Sequence, residues 1–173
     1  MNKCNAKILD VCCGGKMFYF DKEDPRVLFQ DIREVETTLC DGRHFEIKPD
    51  VIGDFRSMQF ADESFSMVVF DPPHLKYTSA KETKGWQMTK YGWLDNDWKN
   101  TLMKGFSECF RVLKQGGVLV FKWNETDIPL QEILRLTEHK PLLGHISGKR
   151  AKTHWVLFVK DNEVKPTQLR LDY

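Results

Sequence analysis

The sequence predicts an α/β fold: one domain on a mostly parallel β-sheet, with an antiparallel hairpin at its C-terminal edge and trimmed early helices. Three observations predict it. Residues 7–12, 26–31, 50–54 and 66–71 are short β-rich runs without polar/apolar alternation, as in strands covered on both faces. Residues 98–113 carry Leu102, Met103, Phe106, Cys109, Phe110 and Leu113 at helical spacing and lead into a fifth apolar run, residues 118–123. Residues 141–146 and 153–160 then face each other across a polar stretch, 147–152, that suits a hairpin loop.

The first run, Lys7-Ile8-Leu9-Asp10-Val11-Cys12, leads straight into Gly14-Gly15. Only residues 16–25 separate it from the second. A parallel crossover normally takes a dozen or more, so a helix here is trimmed to about two turns. Asp41-Gly42-Arg43, between residues 37–40 and 44–47, marks a small hairpin in place of another helix. The helix of residues 98–113 takes Asp97 as its N-cap and stops at Gly116-Gly117. A shorter helix is predicted over residues 129–137, with Pro129 in its first turn, and a polar tail follows from about residue 161.

At 173 residues, 41% hydrophobic and 29% charged, the chain suits a single domain with its own core over residues 1–173. No apolar run approaches the roughly 18 residues of a membrane span, and the N-terminus lacks a signal peptide's apolar stretch, so a cytoplasmic protein without membrane contact is expected. Cys4, Cys12, Cys13, Cys40 and Cys109 are odd in number and lack Cys-x-x-Cys spacing, which predicts reduced thiols and no metal site.

The chemistry is expected beyond the carboxyl ends of the strands, where open α/β sheets bind ligands. Gly14 and Gly15 let the backbone approach a ligand, and Asp31, about 20 residues past Asp10, is placed to hydrogen-bond ribose hydroxyls. There is no G-x-G-x-x-G triplet, so a nucleoside without pyrophosphate fits better than a dinucleotide. Asp71-Pro72-Pro73-His74 ends the fourth strand in a carboxylate and a stiff turn. Its two prolines fix φ, remove two donors and bar helix, leaving carbonyls free to accept. An exocyclic amine is a poor nucleophile because its lone pair is delocalised into the ring. Hydrogen bonds from its N–H groups to Asp71 and the Pro72 carbonyl would localise that lone pair, and His74 would stack on the ring or bond its edge.

These residues, in this order, resemble the class I S-adenosylmethionine-dependent methyltransferases, and in particular the Asp/Asn-Pro-Pro-aromatic branch that methylates exocyclic amines of bases, such as small phage-type DNA adenine N6 enzymes. Ile8-Leu9-Asp10-Val11-Cys12-Cys13-Gly14-Gly15-Lys16 is similar to that branch's first motif, and Asp71-Pro72-Pro73-His74 to its fourth. The resemblance implies a Rossmann-like sheet, S-adenosylmethionine as cofactor, and Asp71, Pro72, Pro73 and His74 as the catalytic set. It further implies that the backbone from Cys12 to Gly14 lies against the cofactor's methionine part. Asp31 would hold the ribose, Asp54 accept from the adenine amino group, and Phe55 pack near that ring. Lys16 stands where the family has a glycine, and its cation could meet the cofactor's carboxylate; His74 stands where the family has Tyr, Phe or Trp.

Substrate contacts are expected from the aromatic and lysine-rich stretch after His74, with Tyr77 and Trp86, which suits a flipped or single-stranded nucleotide. Lys122 and Trp123 are placed in the site by their position after the fifth strand. Residues 139–160 hold five bases and no acid, whereas residues 41–71 carry a net charge of −4. Lys149, Arg150 and Lys152 are therefore the expected phosphate contacts. The expected partner is nucleic acid, DNA before RNA, and target choice would fall to these loops, the substrate's own shape, a homodimer or a partner subunit. A methyltransferase of another substrate, a nucleotide-linked oxidoreductase and a non-catalytic cofactor-binding module remain as alternatives.

Overall fold

The computed structural model describes residues 6–39, 41–76, 92–146 and 152–161. Its strands are β1 (Ile8–Asp10), β2 (Val27–Asp31), β3 (Val35–Thr38), β4 (His44–Ile47), β5 (Val51–Ile52), β6 (Phe65–Phe70), β7 (Leu113–Asn124), β8 (Pro141–Ile146) and β9 (Thr153–Val159). Seven form one sheet in the order β5-β2-β1-β6-β7-β9-β8, and β3 pairs with β4 as a separate antiparallel hairpin. Pairings from β5 across to β7 are parallel, and those of β9 with β7 and β8 are antiparallel. This is the expected sheet with its antiparallel edge. The chain starts at β1, builds outwards to β5, then returns to lay β6 on β1's other side, so strand order reverses between β1 and β6.

The early crossovers are trimmed further than the sequence suggested: among the described residues no helix precedes Trp98. Gly14 (φ 49°) and Lys16 (φ 54°) turn the chain into the left-handed region directly after β1. Asp21 and Asp24 then accept from the backbone N–H groups of Glu23 and Arg26, local turns that compete with helix.

Helix α1 (Trp98–Val112) begins where predicted, but Asp97 makes no side-chain cap; its carboxylate accepts from Asn100 Nδ2 at 2.9 Å instead. Nor do glycines end it. Leu113 is already extended (φ −79°, ψ 134°), and β7 starts there. Gly116 N–H donates to the Lys160 carbonyl and Lys160 N–H to the Gly117 carbonyl, so the glycines serve a link between β7 and the end of β9. Helix α2 (Leu130–Leu134) is shorter than the predicted 129–137.

The core lies between α1 and the sheet. Phe106 on α1 meets Phe70 on β6 and Phe121 on β7 at ring-centroid distances of 5.4 and 5.0 Å. Each such ring removed from water contributes about 1.5–3 kcal/mol. A smaller cluster of Cys13, Val27 and Phe29, with Ile8 and Tyr19 packed on it, sits under the segment that follows β1. Among the described residues no helix is long and apolar enough to cross a membrane.

Candidate active site

β1, β2 and β6 deliver their C-terminal ends to one edge of the sheet, and a cavity of about 590 Å3 opens there, lined by residues 11–15, Asp31, residues 71–74 and Lys122 among others. That volume lies within the range of about 300–1,000 Å3 of small-molecule sites. It also sits at the reversal of strand order.

The loop after β1 is fastened to β2. Gly14 N–H donates to Asp31 Oδ2 at 2.9 Å and Cys13 N–H to the Gln30 carbonyl at 2.8 Å. The other Asp31 oxygen accepts from Arg33 N–H and Nε at 3.0 and 3.2 Å. A Cβ added at Gly14 would meet nothing within 4 Å, so its backbone borders open space, and its φ of 49° favours glycine. Asp10 is fully buried beneath this loop, one oxygen accepting from Cys12 N–H. Asp10 Oδ2 and the neighbouring Tyr19 hydroxyl are buried without a hydrogen-bond partner of ordinary geometry. Burial pushes the Asp10 carboxyl from 3.8 up to about 7, and the charges of Asp71 and Asp31 push the same way. Burial likewise pushes the Cys12 and Cys13 thiols up, so both stay protonated neighbours of the cavity rather than nucleophiles.

Strand register assembles the opposite wall. Phe70 pairs with Phe121 across β6 and β7, and Lys122 pairs with Trp155 across β7 and β9. Asp71, Lys122 and Trp155 therefore lie in a row. Lys122 Nζ donates to Asp71 Oδ2 at 2.6 Å, with only 23% and 19% of the two side chains exposed. Its ammonium also lies 5.5 Å from the Phe18 ring centroid and 5.8 Å from that of Trp155. Burial pushes the Asp71 carboxyl above its ordinary value while Lys122 pulls the other way. His74 lines the cavity, edge-on to Trp123 at 6.4 Å between centroids. Burial, then the Lys122 charge, lowers its pKa to about 4, so the imidazole is neutral at pH 7.

Other expected residues fall elsewhere. Asp54 does not line the cavity: both its oxygens take Arg56, the shortest contact 2.6 Å, which holds the carboxyl below its usual range. Phe55, beside it, does line the cavity. Lys16 points away, donating to the Lys22 carbonyl at 3.2 Å and lying 4.3 Å over the Phe29 ring. Trp123 is a core residue, fully buried, its Nε1 donating to the Ile128 carbonyl at 2.9 Å. The two-residue period of β7 explains this: Lys122 faces the cavity, so Trp123 must face α1. Lys152 is exposed, and its carbonyl accepts from Glu125 N–H. Tyr77, Trp86, Lys149 and Arg150 lie outside the described residues. Phe18, Arg33 and Trp155, which the sequence did not single out, also line the cavity, as does Trp93 of the aromatic stretch after His74. Trp155 was within reach, since pairing the terminal hairpin against the fifth strand sets it beside Lys122. Among the described residues no cluster of His, Cys, Asp and Glu could hold a metal ion.

No protein-family model matches the chain, and no curated protein does. Solved structures do match. A Pyrococcus horikoshii OT3 protein is 16% identical, with 89% of this chain and 81% of that one covered at a TM-score of 0.52. A SAM-dependent methyltransferase of Methanosarcina mazei is 11% identical, with 89% and 92% covered at 0.51. The Burkholderia thailandensis 1,6-didemethyltoxoflavin-N1-methyltransferase, solved with bound 1,6-didemethyltoxoflavin and S-adenosylhomocysteine, is 13% identical, with 90% and 71% covered at a TM-score of 0.52. The chain thus has the Rossmann-like fold of S-adenosylmethionine-dependent methyltransferases.

Proposed function

We propose that this protein is an S-adenosylmethionine-dependent methyltransferase acting on an exocyclic amine of a nucleobase, adenine N6 in DNA first and an amine of an RNA base second. The observation that carries the reading is that Asp71-Pro72-Pro73 and the Gly14–Asp31 link line one cavity at the strand-order reversal.

The residues fit the cofactor. Open space beside the Gly14 backbone leaves room for the methionine part, Asp31 presents buried carboxylate oxygens to a ribose diol, and Ile32 and Phe55 give apolar walls for adenine. Asp54, committed to Arg56, and Lys16, turned away, are left out of this set. When bound, S-adenosylmethionine supplies a methyl group on a sulfonium, activated for displacement. Asp71 Oδ1, which has no partner among the described residues, and the Pro72 carbonyl accept the two amine hydrogens and hold the nitrogen lone pair along the line of attack. The new N–C bond forms as the S–C bond breaks. The extra proton on nitrogen then leaves to Asp71 or water, and no strong base is needed. His74, neutral, stacks against the base. The five bases and absent acids of residues 139–160 suit a polyanionic substrate.

The test is transfer of a labelled methyl group from S-adenosylmethionine to DNA, RNA and protein pools, followed by nucleoside mass spectrometry. Label in an N-methylated base is the expected result; label only in protein, or in no pool, would overturn the reading.

A further inference from the structure

The Asp71–Lys122 pair sets an acceptor and a donor side by side on the cavity wall. Asp71 spends one oxygen on Lys122 and keeps the other; Lys122 spends one ammonium hydrogen on Asp71, and its remaining two have no partner among the described residues. Two aromatic faces, Phe18 and Trp155, border the ammonium, and Trp155 meets Phe18 edge-on at 5.5 Å. Among the described residues the ammonium meets no further oxygen or nitrogen acceptor, so its spare hydrogens can serve a ligand in the cavity. A ligand that gives a hydrogen to Asp71 and takes one from Lys122 completes both groups at once.

We infer that Lys122 is a specificity-determining residue, donating to a ring-nitrogen acceptor adjacent to the amine that Asp71 holds, so that the site reads a donor–acceptor edge. This rests on the proposed methyltransferase reading. Adenine presents such an edge, its N6 hydrogens lying beside N7 on one side and N1 on the other, and cytosine N4 beside N3 is a second case. An amine with no neighbouring acceptor leaves the ammonium short of a bond in a largely buried site, and such sites reject analogues that lack the matching group. Because Asp71 remains as a partner for Lys122, the discrimination is smaller than for an isolated buried donor, about 10- to 100-fold in kcat/KM.

The experiment compares oligonucleotides carrying adenine, 1-deazaadenine or 7-deazaadenine, with 3-deazacytosine against cytosine if cytosine is the base methylated. Wild-type protein, Lys122→Arg and Lys122→Met are assayed together, alongside calorimetry with S-adenosylhomocysteine. Expected is a loss of about 10- to 100-fold on one deaza analogue with wild type, retained by Lys122→Arg and collapsed to within about 3-fold by Lys122→Met. Equal rates on all analogues with wild type would overturn the inference, even if both variants prove inactive. So would a deaza penalty that survives Lys122→Met unchanged. A tenfold weaker S-adenosylhomocysteine affinity in Lys122→Met would assign the ammonium to the cofactor and overturn it as well. Absence of transfer to any base defeats the methyltransferase reading itself, and this inference with it.

Discussion

Gly105→Ala tests whether the packing beneath the cavity is as tight as the structure shows. Gly105 lies in α1 against β6, and a Cβ there would sit 2.7 Å from Phe70 Cζ and 2.9 and 3.0 Å from Phe55 Cδ2 and Cε2. Helix propensity alone favours the alanine by about 1 kcal/mol. Overpacking against two rings costs about 2–3 kcal/mol, because Phe70 is fully buried against Phe106 and Phe121 and has nowhere to go. The clash wins by about 1–2 kcal/mol, or roughly 2–8 °C in Tm for a chain of this size. Phe55 is the ring able to yield, and it lines the cavity, so S-adenosylhomocysteine affinity should fall in the same variant. Thermal melts followed by circular dichroism, with calorimetry for the ligand, read both effects. Adding Phe55→Leu should restore part of the lost Tm, the 2.7 Å contact with Phe70 remaining. A Gly105→Ala melting temperature at or above wild type would refute the packing argument.

The buried Asp10 makes stability depend on pH in a defined direction. Its carboxyl is raised in the fold from 3.8 to about 7, so its contribution is fully present below about pH 4 and is lost as pH rises through about 7. His74 and His139, both lowered in the fold, work oppositely, their contribution being lost as pH falls. The Tm difference between wild type and Asp10→Asn, measured without ligand, should therefore shift against wild type between pH 5 and pH 8; parallel curves would contradict the assignment. For His74, neutral above about pH 4, the rate of transfer should show no limb near pH 6.5 that disappears in His74→Phe. His74→Phe should keep stacking, while His74→Ala weakens KM by about 10- to 100-fold. An inactive His74→Phe beside an active His74→Asn would replace stacking by a hydrogen bond to the base edge.

The strand positions were legible because parallel strands covered on both faces leave uninterrupted apolar runs, and α1 because its apolar stripe has helical period. The crossover after β1 was not, since Gly14 and Lys16 take left-handed backbone that a sequence signals only for the glycine. Gly116-Gly117 misled for a related reason: glycine marks a helix stop or a close strand contact equally well, and here it is the second. In the site, Asp31 and Asp71 could be placed from strand ends alone. Asp54 could not, because Arg56, two residues on, claims its carboxylate, a local pairing that motif position does not reveal. Trp123 failed on periodicity, which assigns adjacent strand residues to opposite faces; Lys122 takes the cavity face, and strand register sets it beside Asp71 and Trp155.

The proposed function assigns Asp71 to the amine and not to the cofactor. The direct measurement is single-turnover methyl transfer by Asp71→Ala and Asp71→Asn, with S-adenosylhomocysteine affinity determined on the same preparations. Transfer should fall by about 100- to 1,000-fold while that affinity stays within about 3-fold of wild type. Transfer within about 3-fold of wild type, or a loss matched by an equal loss of S-adenosylhomocysteine binding, would contradict that assignment.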